Sequence, residues 1–404
     1  MVGVGAICVI GGGRIGLPIS VSLASKGQRV IILEIDSEKC DLINAAKAPF
    51  FEKGMSEELE RAVSKGLILA STDKSKLSGC NVIISAIGTG VSEDGEPDVS
   101  GIDDLVEVVA PHYNKGDLFL LKTTLPIGTT ELIAEKICEK TGLSLDKEAL
   151  VAFSPERIVE GRAMEELRTL PKIVGGIGPN STKMAKEVMS IFGGIVIEVS
   201  NSRTAEMCKL IDNSYRMTRF GFSADIAAVS TRNGIDAFEA IEAANRDYGR
   251  NNVPLPSIGV SGYCLTKDPY YLDIGGGEIW GERGFQSTWI SARKAADFQI
   301  TMAVERISGF LSELSDTPVA VIAGGTYKED VDDCRLSHGR EIAEALSSKG
   351  FKVIFWEPNI GGDSLDGFPV FKDYKCIAET DCLIFTVPHK DFKEWAIEMP
   401  GIET

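Results

Sequence analysis

Short apolar runs alternate with segments of helical spacing from the start of the chain. Ala6–Ile10, Val30–Leu33, Val82–Ala86, Leu118–Leu121 and Val151–Phe153 read as strands, and a helix is predicted from about Ile15 to Ser25. Runs at Lys172–Val174 and Ile195–Val199 carry the pattern to about residue 200. Strands separated by helices predict a parallel sheet covered on both faces. From Arg203 to about Thr231 the apolar positions Met207, Leu210, Ile211, Met217 and Phe220 take helical spacing, and Asn233-Gly234 supplies the stop. A second long helix is predicted over roughly Ser287–Leu314, after a loop region punctuated by Gly and Pro between Tyr248 and Gly281. Beyond Ser315-Asp316-Thr317-Pro318 the α/β pattern returns as strand Val319–Ala323, helix His338–Ser347 and strands Val353–Trp356 and Leu383–Val387. The predicted organisation is an α/β domain over 1–200, a helical middle over 201–314 and a smaller α/β domain over 315–404, the two α/β ends being distant versions of one architecture.

Composition narrows the function classes. A chain of 404 residues has room for two or three domains at about 150 residues each, and 44% hydrophobic residues suffice for packed cores. Lys and Arg total 42 against 59 Asp and Glu, a net charge of −17. That balance argues against a nucleic-acid or anionic-membrane surface, both of which need excess positive charge. Any anion must therefore be bound at a local site. The nine cysteines form no C-x-x-C pair, so zinc and dithiol chemistry are not expected, and no metal is predicted. Their scatter fits a reducing cytoplasm. The apolar start lacks a basic leader and runs at once into Gly11-Gly12-Gly13, unlike a secretory signal, and no run approaches the ~18 apolar residues of a membrane span.

Gly11, Gly13 and Gly16 form G-x-G-x-x-G directly after a predicted strand and at the opening of a helix, and Glu34 ends the next strand. The first glycine permits the tight turn, the second lets backbone approach a pyrophosphate, and the third lets helix and strand pack closely. The helix N-terminus adds amide donors and a positive dipole. A carboxylate at Glu34 accepts hydrogen bonds from the adenosine ribose and repels the extra phosphate of NADP, so the cofactor read here is NAD. Asp36 is a weaker candidate for that role, and Arg14 within the turn is a cation at the anion site.

Lys209 and Asn213 stand at i and i+4 on the long helix and share a face. A lysine beside an amide can hold a substrate alkoxide, although the same spacing describes an exposed polar stripe. Cys264 lies in Gly259-Val260-Ser261-Gly262-Tyr263-Cys264-Leu265-Thr266-Lys267-Asp268-Pro269, read as a glycine-bearing loop in which a nearby cation favours a nucleophilic thiolate. Thr123-Thr124-Leu125-Pro126-Ile127-Gly128 and Ser154-Pro155-Glu156-Arg157-Ile158-Val159-Glu160-Gly161 each follow a strand at the edge where α/β folds bind ligands. The stretch from Gly324 to Arg335 opens the last domain with two phosphate-capable cations, Lys328 and Arg335. Taken singly, each stretch also reads as an ordinary turn.

Together, and in order from Gly11 to about Phe392, these stretches resemble the nucleotide-sugar 6-dehydrogenases, which oxidise UDP-glucose, UDP-N-acetylmannosamine and related sugars to uronic acids. The resemblance implies two Rossmann-like α/β domains joined by a helical central domain with a long connecting helix, the N-terminal one binding NAD, the C-terminal one the UDP-sugar, and the helices building a homodimer. It implies Cys264 as nucleophile through a thiohemiacetal and a thioester, Lys209 and Asn213 as oxyanion stabilisers, and Asp268 in proton transfer with Lys209 and a water. Glu156 and Thr124 are implied to place or activate the hydrolytic water. Cofactor contacts are implied at Gly11, Gly13, Arg14, Ile15, Gly16, Glu34, Thr89, Thr124, Lys267 and Arg335. Substrate contacts are implied at Glu156, Arg157, Val159, Glu160, Lys209, Asn213, Arg250, Asn252, Gly259, Gly262, Tyr263 and Lys328, with an Arg reaching in from the neighbouring subunit.

Ser154-Pro155-Glu156-Arg157, the run from Glu165 to Gly176 and Asp268-Pro269-Tyr270-Tyr271-Leu272 are more similar to the UDP-N-acetylhexosamine branch, which favours UDP-N-acetylmannosamine over UDP-N-acetylglucosamine or UDP-glucose. Ser257 and Ser261 stand where the family usually has glycine, and Tyr263 where that branch usually has histidine. Relatives commonly continue past Val387-Pro388-His389-Lys390-Asp391-Phe392 into another strand and helix, so the last sheet is expected to be short at one edge. Two rival readings stay open at this point: a two-electron β-hydroxyacid dehydrogenase, which needs no Cys264, and a non-catalytic sensor of NAD or nucleotide sugars.

Overall fold

The computed structural model describes residues 5–92, 97–98, 100–277, 279–314 and 318–398. Ser315–Thr317, read above as the break before the last domain, lie outside the described residues. The chain divides into two compact units, Met1–Asp212 with Tyr270–Gly276, and Asn213–Pro269 with Gly277–Thr404.

The first unit holds β1 (Ala6–Ile10), β2 (Val30–Leu33), β3 (Ile68–Ser71), β4 (Cys80–Ser85), a small antiparallel pair β5 (Gly90–Val91) and β6 (Pro97–Asp98), β7 (Leu118–Leu121), β8 (Leu150–Phe153), β9 (Lys172–Gly176) and β10 (Val196–Glu198). Eight of these make one sheet in the order β10-β9-β8-β7-β4-β1-β2-β3. Both faces are buried, which is why the strands read as unbroken apolar runs: Ile7 and Val9 pack into one core, Cys8 and Ile10 into the other. The strand order reverses at β1, flanked by β2 and β4, and such a switch point opens the crevice in which α/β sheets take ligands.

The sheet is not wholly parallel, contrary to the expectation. β9 runs antiparallel to β8, with β10 again parallel to β9. Only the seven-residue helix Ala163–Thr169 separates β8 from β9, and an antiparallel neighbour needs no full crossover helix. β3 lies on the sheet edge, where Leu69 is exposed; its apolar run Leu67–Ala70 is present in the sequence but is not among the strands predicted from it.

Helix Ser202–Asn233 runs from the first unit into the second and ends at Gly234 in the left-handed conformation, φ +66°. The second unit continues with helices Ala237–Asn245 and Thr288–Leu314 and a five-stranded sheet. Its strands are β11 (Val319–Ala323), β12 (Lys352–Trp356), β13 (Ser364–Leu365), β14 (Phe368–Phe371) and β15 (Cys382–Phe385), in the order β13-β14-β12-β11-β15. β13 and β14 form a hairpin closed by Asp366-Gly367, whose φ values of +51° and +86° suit a two-residue turn.

The opening frame of the first unit recurs in the second. Gly11 N–H donates to Leu33 O at 2.9 Å and Gly324 N–H to Trp356 O at 3.0 Å. Gly12 N–H donates to Glu34 Oε2 at 2.7 Å, and Gly325 N–H to Glu357 Oε2 at 2.7 Å. A β-carbon on Gly16 would stand 1.8 Å from Gly11 O, and one on Gly339 would stand 2.2 Å from Gly324 O. The frames differ at the acid. Fully buried Glu357 also takes Thr326 N–H at 3.2 Å, Asn359 N–H at 2.8 Å and His389 Nε2 at 3.1 Å. Asp330 N–H donates to His389 Nδ1 at 2.9 Å, so the ring hydrogen is on Nε2.

Gly16→Ala and Gly339→Ala each force a methyl against a backbone carbonyl, and each is expected to lose about 1–3 kcal/mol of stability in urea unfolding. Gly13→Ala, whose β-carbon meets nothing within 4 Å, is expected to unfold like the parent.

Candidate active site

The glycine turn fits the dinucleotide that its spacing suggested. Gly11 takes φ +99°, which disfavours any side chain there. The β-carbon direction of Gly13 is open, leaving space for a pyrophosphate against the backbone. Helix Gly16–Ser25 begins at once, with Ile15 packed onto the core beside it. Glu34 is 8% exposed at the end of β2, its Oε1 accepting from Ile35 N at 2.9 Å and Asp36 N at 3.2 Å. Asp36 Oδ1 caps helix Ser37–Asn44 by accepting from Glu38 N at 3.0 Å and Lys39 N at 3.2 Å. Those N–H donors hold its carboxyl below the usual range. Arg14 Nε lies 3.6 Å from Glu160 Oε1, and its guanidinium covers the Phe50 ring at 5.1 Å.

At the carboxyl edge of β4 and β7 lies a cavity of about 200 Å³ lined in part by Ile87, Thr89, Thr123 and Leu125. Thr89 Oγ1 donates to Thr124 O at 2.9 Å and Thr123 Oγ1 to Ile87 O at 2.7 Å, which locks the two strand ends together. The loop after β7 is fixed from its far side by Glu206, a fully buried residue of the long helix that sequence reasoning missed. Its carboxylate takes Gly128 N–H at 2.6 Å, Thr130 N–H at 2.8 Å and the Thr130 hydroxyl at 2.6 Å. Burial pushes the Glu206 carboxyl up despite those donors. It stands one turn before half-buried Lys209.

Glu156, after β8, has Oε1 held by Arg157 N at 2.8 Å and Ile158 N at 3.1 Å. Its Oε2 lies 3.2 Å from Nζ of Lys122, a second residue the sequence reading passed over. Burial opposes the charge of Glu156, but Lys122 and the two N–H donors prevail and hold its carboxyl below the usual range. Arg157 Nε pairs with Asp212 at 2.9 Å, and Val159 N–H donates to Glu166 at 2.8 Å.

In the second unit, Cys264 is not on a loop. It is the second residue of helix Tyr263–Gly276, which absorbs Pro269 in its interior. Loop punctuation ends one residue earlier, at Gly262 with φ +90°, where a β-carbon would press the Tyr327 ring at 2.7 Å. Cys264, Lys267 and Asp268 therefore fall at i, i+3 and i+4 on one helical face, near the end whose unbonded N–H groups favour negative charge. Cys264 is exposed, while Lys267 and Asp268 are buried. Lys267 Nζ donates to Asp268 Oδ1 at 2.6 Å, and buried Asn213 donates its Nδ2 hydrogen to Asp268 Oδ2. Tyr263 lies between two cations, with Lys267 Nζ 5.5 Å and Arg335 Cζ 5.9 Å from its ring. Asp333 grips Arg335 through Nε at 2.9 Å and Nη2 at 2.7 Å.

The remaining candidates are held less directly. Thr326 Oγ1 donates to Lys328 O at 2.8 Å, fixing that turn. A β-carbon on Gly259 would stand 2.9 Å from His338 Nε2. Ser257, at one of the departures, donates to Gly259 O at 2.6 Å. Exposed Arg250 stacks on Tyr248 at 4.6 Å, and Arg219 donates to Asn252 Oδ1 at 3.0 Å. Among the described residues, no hydrogen bond joins Arg250 or Asn252 to the Asp268 set.

Three family models match in chain order. Residues 5–193 match the NAD binding domain of the UDP-glucose/GDP-mannose dehydrogenase family, 203–278 its central domain and 321–400 its UDP binding domain. The UDP-N-acetyl-D-mannosamine dehydrogenase of Pyrococcus horikoshii is 31% identical over 96% of this chain and 90% of its own. That of Escherichia coli K12 is 30% identical over 96% and 94%. The solved structure of the UDP-D-ManNAc dehydrogenase from P. horikoshii superposes with a TM-score of 0.87 at 29% identity, covering 96% of this chain and 90% of that one.

Lys267→Met strips Asp268 of its cation and leaves a buried carboxylate with the Asn213 amide. Breaking such a pair from one side is expected to cost about 3–5 kcal/mol in urea unfolding.

Proposed function

The chain belongs to the UDP-glucose/GDP-mannose dehydrogenase family, and from that premise we propose that it is a UDP-N-acetyl-D-mannosamine 6-dehydrogenase, oxidising the sugar 6-hydroxyl to the carboxylate. One observation carries the chemistry: Cys264 shares a helical face with Asp268, whose carboxylate is fixed by Lys267 and Asn213. A nucleophilic thiol is what a four-electron oxidation requires, because an alcohol dehydrogenase without one stops at the aldehyde. The names of the relatives above favour the N-acetylmannosamine substrate.

The glycine turn from Gly11 to Gly16 and Glu34, with Thr89, Thr124, Lys267 and Arg335 as further contacts, would hold NAD, which when bound would accept one hydride in each of the two oxidations per sugar. Lys209 and Asn213 stabilise the oxyanion at carbon 6. One amide hydrogen of Asn213 is committed to Asp268, which sets the direction of the other. Asp268, Lys209 and a water carry away the hydroxyl proton. Cys264 sulfur then bonds to the aldehyde carbon, and the thiohemiacetal becomes a thioester on the second oxidation. Water breaks the C–S bond, with Glu156 and Thr124 orienting it and Cys264 leaving as thiolate. The sugar nucleotide is gripped by Arg157, Val159, Glu160, Gly259, Gly262, Tyr263 and Lys328, with Arg250 and Asn252 on a loop that also serves the neighbouring subunit.

In this function the chain comprises a cofactor domain over 1–200, a helical dimerisation domain over 201–314 and a UDP-sugar domain over 315–404. Tyr215, Phe222 and Val229 lie two turns apart on the long helix and are 62%, 54% and 59% exposed, an apolar stripe that supports a homodimer. A cytoplasmic location follows from the nucleotide-sugar substrate and the free cysteines.

With UDP-N-acetylmannosamine, absorbance at 340 nm is expected to rise by two NADH per sugar, and more slowly with UDP-N-acetylglucosamine, UDP-glucose or UDP-galactose. One NADH per sugar would indicate two-electron chemistry, and none a sensor. Cys264→Ala is expected to abolish formation of the acid, and full turnover by that variant would refute the thioester route.

A further inference from the structure

Lys122 is the first residue after β7, a strand whose four side chains are all apolar and buried. Its own side chain is 1% exposed. Burying an ammonium costs several kcal/mol before any partner is counted, and nothing in the ending of a strand calls for one. Its Nζ donates to Ser154 O at 3.3 Å and faces Glu156 Oε2 at 3.2 Å. The two oxygens of Glu156 are used differently. Oε1 is occupied by two backbone N–H groups, whereas Oε2 is buried and, among the described residues, accepts no well-formed hydrogen bond, with the Lys122 ion pair as its anchor. A carboxylate tied at one oxygen and steered at the other keeps a lone pair in a set direction.

We propose that Lys122 is a positioning residue for the hydrolytic half of the reaction, holding Glu156 ionised and oriented so that Oε2 accepts the hydrogen of the attacking water. In that step the water oxygen bonds to the acyl carbon and the C–S bond breaks, its electron pair staying on Cys264 sulfur. The water proton moves toward Glu156 and on to solvent. Lys122 exchanges no proton and touches no reacting atom. The inference rests on the assignment of Glu156 to the hydrolytic water.

The other charges facing Glu156 do not replace Lys122. Lys172, on β9, donates Nζ to Gly193 O at 2.9 Å, and burial lowers its own tendency to stay protonated. Arg157 is committed to Asp212. Glu166 is engaged by Val159 N–H and lies 3.8 Å from Arg162. Removing the Lys122 charge therefore leaves burial opposed by the Arg157 and Ile158 N–H groups without the ion pair, and the Glu156 carboxyl moves up.

The test compares Lys122→Met, Lys122→Gln and Lys122→Arg with Glu156→Gln in rapid mixing with NAD and the UDP-sugar, followed by intact-mass analysis of the quenched enzyme. Lys122→Met is expected to give an undiminished first-turnover burst of two NADH per site, a steady-state kcat down about 100-fold, little change in KM, and an accumulated acyl-enzyme mass. The acid limb of its kcat profile is expected at higher pH, and Lys122→Arg is expected to recover part of the rate. If Lys122→Met does not fold, Lys122→Gln, which keeps a donor for Ser154 O without the charge, carries the same readouts. A burst slowed as much as the steady state, a loss confined to KM, or no acyl-enzyme overturns the proposal. If Glu156→Gln accumulates acyl-enzyme and the uncharged Lys122 variants do not, Lys122 alone is misassigned. If Glu156→Gln does not, the assignment of Glu156 falls with it.

Discussion

Gly16 stands so close to the Gly11 carbonyl that no β-carbon fits between them, and the geometry of the cofactor end follows from that approach. It lets helix Gly16–Ser25 start immediately after the turn, so the free amides of its first residues gather where the strand ends. It also holds Gly12 N–H at 2.7 Å from Glu34, which fixes the acid at the mouth of the crevice between β1 and β4. Three glycines and one carboxylate thus convert a packing constraint into a binding site, and anion recognition there needs no surplus of positive charge.

The same economy applies to the charged side chains. The protein is acidic by −17, yet its buried carboxylates sit in local pairings that net charge does not describe. Asp268 is fully buried between Lys267 and Asn213, Glu156 is held by Lys122 and two amides, and Glu206 bonds to the loop after β7. Each carboxylate is taken from water and given partners in fixed directions. Such groups have their dipoles in place before substrate arrives, which is how a low-dielectric site stabilises developing charge.

The fingerprint was legible because each of its glycines has a steric task that no other residue performs, and Asn233-Gly234 was legible as a helix stop for the same reason. The apolar runs gave most strands, since a sheet buried on both faces leaves an unbroken signal. The reversal of β9 was not legible, because strand direction is set by how the chain returns and not by its side chains. Cys264 was misplaced on a loop because glycine and Pro269 were read as breakers, whereas Pro269 sits inside a helix stabilised by buried Leu265, Tyr271 and Leu272. The capping role of Asp36 was not legible, and it emerges only from the hydrogen bonds to Glu38 and Lys39. Lys122 and Glu206 were overlooked because a charged residue in isolation reads as solvent-facing. The available signal was a lysine placed directly after four apolar strand residues.

The two frames built on Gly11 and Gly324 share a hydrogen-bond plan but not a vacancy. Glu34 keeps an edge toward solvent, whereas Glu357 is sealed by His389, Asn359 and the amides of Gly325 and Thr326. Glu357, fully buried, presents no exposed acceptor edge at the second frame. The two copies of one frame therefore part at the acid: an internal histidine covers the carboxylate in the second, where the first leaves an edge open.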